Sequence, residues 1–356
     1  MDDARLAELH TVELEPRARG AALGSMLGEQ IEIVLRSYLR LFEKTRGLGI
    51  DRVLRLGDAA LTRVSDWQPR LAEEMEGVAG GADVAPELIG ALNARTEIAR
   101  EGGCSLLARL DALDGPWLAQ NWDWYVDSPE RCVVWTVDLA DGERLVTMTE
   151  AGILAKLGLN SRGLAVGLNI LHHRRDGGPM GVPVHLILRA LLEQCATVED
   201  AASLLGDSPT SGSSAVTVVD AAGGGAVFEL SPAGVARIDP RAGFLAHTNH
   251  FVDPGLGDGE ASELGLDGSR ARLELLETAR PETLEEAQEL LRDHGCAPES
   301  LCRHDTPSAI AGMPAAGTIV SVASETSARR FHVAAGHPCT HAFITYEVGR
   351  LAEPLA

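Results

Sequence analysis

The residue best placed to do chemistry in this sequence is Cys104, in the stretch "EGGCSLLA". Gly102 and Gly103 precede it, and two glycines allow a backbone bend that other residues resist. A thiol just after such a bend can lie over the carbonyl of the residue before it. Attack of the Cys104 thiol on the Gly103 carbonyl gives a thioester, and water then releases a new N-terminus at Cys104. That residue carries a thiol, with an ordinary pKa of about 8.5, and an α-amine of about 7.7–8.0. The amine can serve as base for its own side chain, so no distant histidine is required. The alternative is a buried packing cysteine after a helix stop, the commoner use of a cysteine taken alone.

Other reactive sets are weaker. A G-x-S-x-G elbow needs glycines two places either side of the serine, and "GLNSRG" has Leu159 in the first place. The second half holds His172, His173, His247, His250, His304, His332, His337 and His341. They show no H-E-x-x-H and no Cys/His spacing of a zinc motif, so they read as scattered side chains and no metal site is expected. "GAALGSMLG" and "AAGGGAVF" do not follow a strand and open a helix as a phosphate loop does, so their glycines read as packing or turn residues. Six cysteines, Cys104, Cys132, Cys195, Cys296, Cys302 and Cys339, form no CxxC and read as free thiols.

These residues must be positioned by a chain of 356 residues, long enough for one large domain or two ordinary ones. Apolar residues make up 45% and aromatics 4%, so a sizeable core of Leu, Val, Ile and Ala is expected. No apolar run approaches the roughly 20 residues of a membrane span. The N-terminus starts with acids and has no apolar h-region, which argues for the cytoplasm. The net charge is −21, with only two lysines, and the clustered Lys and Arg that a nucleic-acid partner requires do not appear in the sequence. From Cys104 onward 34 acids face 18 bases, an average field unfavourable to a polyanion such as coenzyme A.

Residues 14–103 read as helical, with apolar positions at helical spacing, Pro86 as a first-turn residue and Gly102-Gly103 as the stop. After Cys104 the texture changes to strands: "CSLLARL", "PWLAQNWDWYV", "CVVWTVDL", "RLVTMTEAG" and a hairpin around Asn160 to Gly163. Two helices follow in "VPVHLILRALLEQC" and "TVEDAASLLG", then a meander, an acidic glycine-rich loop at 254–268, two helices at about 269–294, and a final hairpin. Blocks of helices between runs of strands predict an α+β layered fold of antiparallel sheets covered by helices.

Several stretches together resemble the isopenicillin N acyltransferase family, a branch of the N-terminal-nucleophile hydrolases. They are "LNARTE" followed by the Gly103-Cys104 junction, "AQNWDW", "TEAGILAKLGLNSRGLAVGLNIL", "GVPVHLILRALLE", "HTNHF" and "LCRH", in the family's order across roughly residues 15 to 350. The resemblance implies an αββα four-layer sandwich of two stacked antiparallel sheets between helical layers. It implies autocatalytic cleavage between Gly103 and Cys104, giving an α chain of residues 1–103 and a β chain of 104–356 that stay together as one integrated domain.

Roles follow from the same resemblance. Cys104 is the nucleophile. Asp123, 19 residues on in "NWDW", matches an aspartate at similar spacing in the related bile-salt hydrolases, where a carboxylate could orient the new α-ammonium. Asn249 in "HTNH" is the expected oxyanion donor, and Asn169 in "GLNIL" a second. Asn121 is expected to brace the Asp123 strand and Lys156 to be structural. Arg95 and Glu97 either help processing or pair with each other. "AIAGMPAAGTIV" carries no charge around Gly317, where a penicillin-making enzyme is expected to hold polar and basic groups, and this points away from a penicillin substrate. Arg303 has no role that carries over.

The expected function is hydrolysis of a small-molecule acyl-amide or acyl-thioester through an acyl-enzyme on Cys104. Acyl transfer to an amine in a biosynthetic pathway is the alternative, and an unprocessed binding protein is the alternative of a different class. No cofactor, nucleic acid or membrane partner is expected; oligomeric state stays open.

Overall fold

The structure is a computed structural model that describes residues 5–99, 101–126, 131–261, 266–295, 297–308 and 310–350. Helices open the architecture because residues 16–99 carry apolar side chains on one stripe and stops between them. They are α1 (Pro16–Met26), α2 (Gly28–Arg46), α3 (Ile50–Trp67), α4 (Pro69–Ala82), α5 (Pro86–Asn93) and α6 (Arg95–Ala99). Gly47 ends α2 in the left-handed conformation, and Pro86 stands in the first turn of α5 as expected. The glycines of "GAALGSMLG" serve packing at Gly20 and Gly24, where a Cβ would overlap the α4 backbone at Glu74 and Val78. Arg19 of α1 donates to Glu74 of α4 at 2.6 Å inside this contact.

The strands are β1 (Ala7–Thr11), β2 (Gly103–Arg109), β3 (Trp117–Tyr125), β4 (Cys132–Asp138), β5 (Arg144–Glu150), β6 (Leu157–Asn160), β7 (Ala165–Ile170), β8 (Ser214–Val219), β9 (Gly225–Ser231), β10 (Gly234–Ile238), β11 (Phe244–His247), β12 (Ala316–Glu325), β13 (Arg330–Ala334) and β14 (Ile344–Glu347). They form an eight-stranded sheet, β1-β4-β5-β6-β7-β8-β9-β10, and a six-stranded sheet, β11-β2-β3-β12-β13-β14. The sheets stack through β2, β3 and β12 against β6 and β7. Helices α1, α7 (Val184–Gln194) and α8 (Val198–Gly206) pack on the larger sheet, α2 reaches its β5 through Tyr38 and Glu150, and α3–α5 pack on other helices. The smaller sheet is covered by α10 (Leu266–Ala279) and α11 (Leu284–Leu290). This is the α+β, αββα sandwich expected.

Two strands depart from the expectation. The larger sheet is mixed, because β1 pairs parallel with β4. Only Leu9 and Thr11 of "AELHT" are buried, too short an alternation to stand out, and the pairing is fixed from afar by Trp135 Nε1 donating to Thr11 Oγ1 at 3.0 Å. The β12–β13 hairpin is not the last element, since β14 adds to its edge. Within the acidic 254–268 segment the described residues hold the helical turn α9 (Pro254–Gly257) and, from Leu266, the start of the next helix, while residues 262–265 lie outside the described residues. Among the described residues no helix is long and apolar enough to cross a membrane. Five cysteines are free as expected, and Cys296 lies outside the described residues.

Candidate active site

The site is built on adjacent strands β2 and β3. Gly102 enters β2 with φ +145°, a conformation that favours glycine. A Cβ there would also stand 3.0 Å from Ile170 Cγ1. In the ladder Gly103 pairs with Asp123 and Cys104 with Trp122. Strand alternation then separates two faces. Cys104, Leu106, Gln120, Trp122 and Trp124 point between the sheets, where Leu106 packs onto Gly167 of β7. Ser105, Asn121 and Asp123 point to the α10–α11 layer, where Asn121 Nδ2 donates to Leu291 O at 2.8 Å and Leu301 O at 2.7 Å. Asn121 therefore ties the β3 strand to that layer.

Polar groups close around the Cys104 backbone. Its N–H donates to Asn249 Oδ1 at 3.0 Å. Its carbonyl accepts from Arg272 Nη1 at 2.9 Å and from Asn169 Nδ2 at 3.3 Å. Arg272 also donates to Ser105 Oγ at 2.7 Å and to Asn249 Oδ1 at 3.2 Å. Asp123 Oδ1 accepts from Thr318 Oγ1 at 2.6 Å, while a Cβ on Gly103 would stand 3.2 Å from Asp123 Oδ2. Cys104, Asp123, Asn169 and Asn249 are thus brought together. The amide groups expected to serve an oxyanion are engaged in the continuous chain: Asn249 Nδ2 donates to Ile170 O at 3.1 Å, and Asn169 Nδ2 also reaches His247 O at 3.4 Å.

The Cys104 thiol is buried, in a small enclosed space lined by Arg95, Gln120, Trp122 and Lys156 among others. Burial, with the Asp123 charge adding to it, pushes the thiol up to about 12, and Lys156 and Arg272 pull the other way. Burial, then the Arg95 charge, lowers Lys156 to about 7. Its Nζ lies 3.5 Å from the Trp122 ring centroid and 3.2 Å from Glu150 Oε2. Glu150 is held at about 2 despite burial by Lys156, Arg95 and Arg131. Arg95 therefore pairs with Glu150, at 3.4 Å, and not with Glu97. Glu97 instead accepts from Val184 N–H at 2.8 Å and is raised by burial to about 7.

A cleft of about 430 Å³ opens at the junction, lined by Gly102, Gly103, Asp123, Asn249, Arg272 and Arg303 among others. A Cβ on Gly317 would stand 3.0 Å from Asp305 Oδ1 and 3.0 Å from the backbone carbonyl oxygen of Arg303, so an acidic side chain from the preceding segment reaches this position.

The model of the family described as acyl-coenzyme A:6-aminopenicillanic acid acyl-transferase matches residues 111–339. The chain belongs to this family. A relative named acyl-coenzyme A:6-aminopenicillanic-acid-acyltransferase 40 kDa form, from Emericella nidulans, is 32% identical over an alignment of 246 positions that covers 66% of this chain and 67% of that one. Among solved structures, penicillin V acylase from Agrobacterium tumefaciens aligns with TM-score 0.44 at 13% identity, over 68% of this chain and 86% of its own. A variant of the conjugated bile acid hydrolase from Clostridium perfringens aligns with TM-score 0.41 at 12% identity, over 68% and 96%.

The acyl-transferase family match begins at residue 111, so it includes Asp123, Asn169 and Asn249 and leaves Cys104 just outside. Arg272 was missed by sequence reading. It lies in "LDGSRARLELLETA", where an arginine among acids reads as a solvated helix face, yet its side chain is buried on the Cys104 carbonyl. No local sequence signal marks it; in the structure it stands one turn after Ser269, whose hydroxyl accepts from Asn249 N–H at 2.8 Å.

Proposed function

We propose that this family member is the precursor of a cysteine N-terminal-nucleophile enzyme that cuts itself between Gly103 and Cys104. It then moves an acyl group from an amide or thioester through Cys104. The observation that carries the reading is the clamp on Cys104: its nitrogen on Asn249, its carbonyl on Arg272 and Asn169, with Asp123 against Gly103. In self-cleavage Sγ adds to the Gly103 carbonyl carbon, the C–N bond breaks, and the thiol proton passes to the Cys104 nitrogen. Water then adds to the thioester, its oxygen completing a carboxyl on Gly103 and one of its protons going to Sγ, while the former thiol proton stays on the freed nitrogen.

The freed nitrogen keeps Asn249 Oδ1 as acceptor, and Asp123 supplies a carboxylate beside it. In its neutral form this amine takes the Sγ proton as sulfur adds to the substrate carbonyl, and the leaving group departs with a proton. Before cleavage the nitrogen is an amide with no basicity, and the buried thiol stays protonated, which fits a chain inert until cut.

Water resolving the acyl-enzyme gives hydrolysis, the reading supported by the net acidic charge of the chain from Cys104 onward, which disfavours a coenzyme A donor on average. Transfer to an amine is the second reading, favoured by the acyltransferase name of the 32% identical relative. Intact-mass measurement tests the core of the proposal. The purified protein should split into chains of 103 and 253 residues, and Cys104→Ala should stay whole. A wild type that remains at 37.7 kDa after long incubation defeats it. A panel of acyl-amides and thioesters, with and without added amines, then separates hydrolysis from transfer.

A further inference from the structure

Three side chains of one short stretch before β12 converge with a fourth from the turn after β13. They are His294, Cys302, His304 and Cys339, and one donor atom of each lies within 4.8 Å of all the others. The two sulfurs are 3.6 Å apart, beyond the roughly 2.05 Å of a disulfide. His294 Nε2 and His304 Nε2 are 3.0 Å apart, and Cys339 Sγ is 3.3 Å from His304 Nε2. Around a tetrahedral zinc, with Zn–S of about 2.3 Å and Zn–N of about 2.0–2.1 Å, neighbouring donors stand roughly 3.4–3.8 Å apart. These three separations are within a few tenths of an ångström of that polyhedron, and the other three are no longer than 4.8 Å.

The donor set is as informative as the distances. Two sulfurs and two imidazole nitrogens meet at one point with no carboxylate among them, a set that selects zinc-class ions over magnesium or calcium. The surroundings hold the ligands in place. The His304 ring lies flat on His337, centroids 4.5 Å apart at 9°, and Cys302 N–H donates to the carbonyl of Asp293, the neighbour of His294, at 2.9 Å. Cys302 is fully buried while both histidines are exposed, so an ion has a path in from solvent.

We infer that His294, Cys302, His304 and Cys339 form a Cys2His2 site for one divalent zinc-class cation, closed by four protein ligands and therefore structural. Its place in the fold gives it a purpose. Arg303, between two of the ligands, donates its backbone N–H to Thr318 Oγ1 at 2.9 Å, and Thr318 Oγ1 donates to Asp123 Oδ1. Arg303 O also accepts from Thr318 N at 2.8 Å. The ion would pin the strip of chain on which the Asp123 hydrogen-bond partner rests.

The test uses the full-length protein, loaded with zinc and dialysed into metal-free buffer, with metal measured by mass spectrometry. About one zinc per chain is expected, and Cys339→Ser and His294→Ala should retain far less. His294→Cys exchanges one ligand for another and should keep the metal. Replacing zinc by cobalt should give the visible bands of a tetrahedral thiolate complex, lost in Cys339→Ser. The wild-type stoichiometry decides even where a variant fails to fold. A folded wild type that keeps no zinc after loading overturns the site, as does a Cys302–Cys339 disulfide in its peptide map.

Discussion

The backbone N–H of Cys104 donates to Asn249 Oδ1 at 3.0 Å, across 145 residues of sequence. This contact puts a side-chain acceptor on the nitrogen that the proposed cleavage would turn into an amine. Asn249→Ala removes one hydrogen bond to a charged group, about 1.5–3 kcal/mol, so kcat/KM should fall roughly 10- to 150-fold. Steady-state kinetics on cleaved protein checks this, and an unchanged kcat/KM would dismiss Asn249 from the chemistry.

Arg272 holds the Cys104 carbonyl and Ser105 from within the fold. Arg272→Met leaves buried acceptors unpaired and should cost about 1–3 kcal/mol in denaturant unfolding. It also removes a positive charge that favours the thiolate, so the pH for half-maximal alkylation of Cys104 should rise. Arg272→Lys keeps the charge but not the forked geometry, and should recover the alkylation pH better than the stability.

Asp123 carries a carboxyl that burial raises above its ordinary value. The folded state therefore favours its protonated form, and ionisation at neutral pH costs stability. Asp123→Asn can still accept from Thr318, so its melting temperature at pH 7 should equal or exceed that of the wild type while activity collapses. A variant that loses both together would mark Asp123 as merely structural.

Glu97 offers a pH test away from the reaction. Its carboxyl moves from an ordinary 4.5 to about 7 in the fold because of burial. The folded chain thus binds this proton more tightly than the unfolded chain. The associated loss of stability begins as pH rises through 4.5 and is complete above about 7, at roughly 3 kcal/mol. Glu97→Gln keeps an acceptor for Val184 N–H, so its melting temperature should match the wild type near pH 5 and exceed it at pH 8. A gap that stays flat with pH would show that Glu97 does not titrate there.

How much of this was legible depends on the distance over which each residue acts. Cys104 was legible from the two glycines before it, and Asp123 was reached through its spacing in the resemblance; β2 and β3 pair Asp123 with Gly103, next to Cys104. The helices between residues 16 and 99 were legible because their apolar periodicity is local. Asn249 was reached through "HTNH", although its acceptor oxygen, not its amide N–H, meets Cys104. Arg272 was hidden because an amphipathic pattern says which face is apolar and not which arginine folds inward to a carbonyl. β1 was hidden because its partner lies far along the chain. The cluster at Cys302 and Cys339 was hidden likewise, since 37 residues separate two thiols that a local motif places within a few residues.

The parallel pairing of β1 with β4 crosses the Gly103–Cys104 junction, and so do the contacts of Tyr38 and Arg95 with Glu150. On the proposed cleavage, the first strand of the larger sheet and its last seven belong to different polypeptides. Folding would be a one-chain event and refolding a two-chain encounter, dependent on concentration and opposed by lost tethering. The mature enzyme would then be protected by the height of its unfolding barrier and not by its ability to recover.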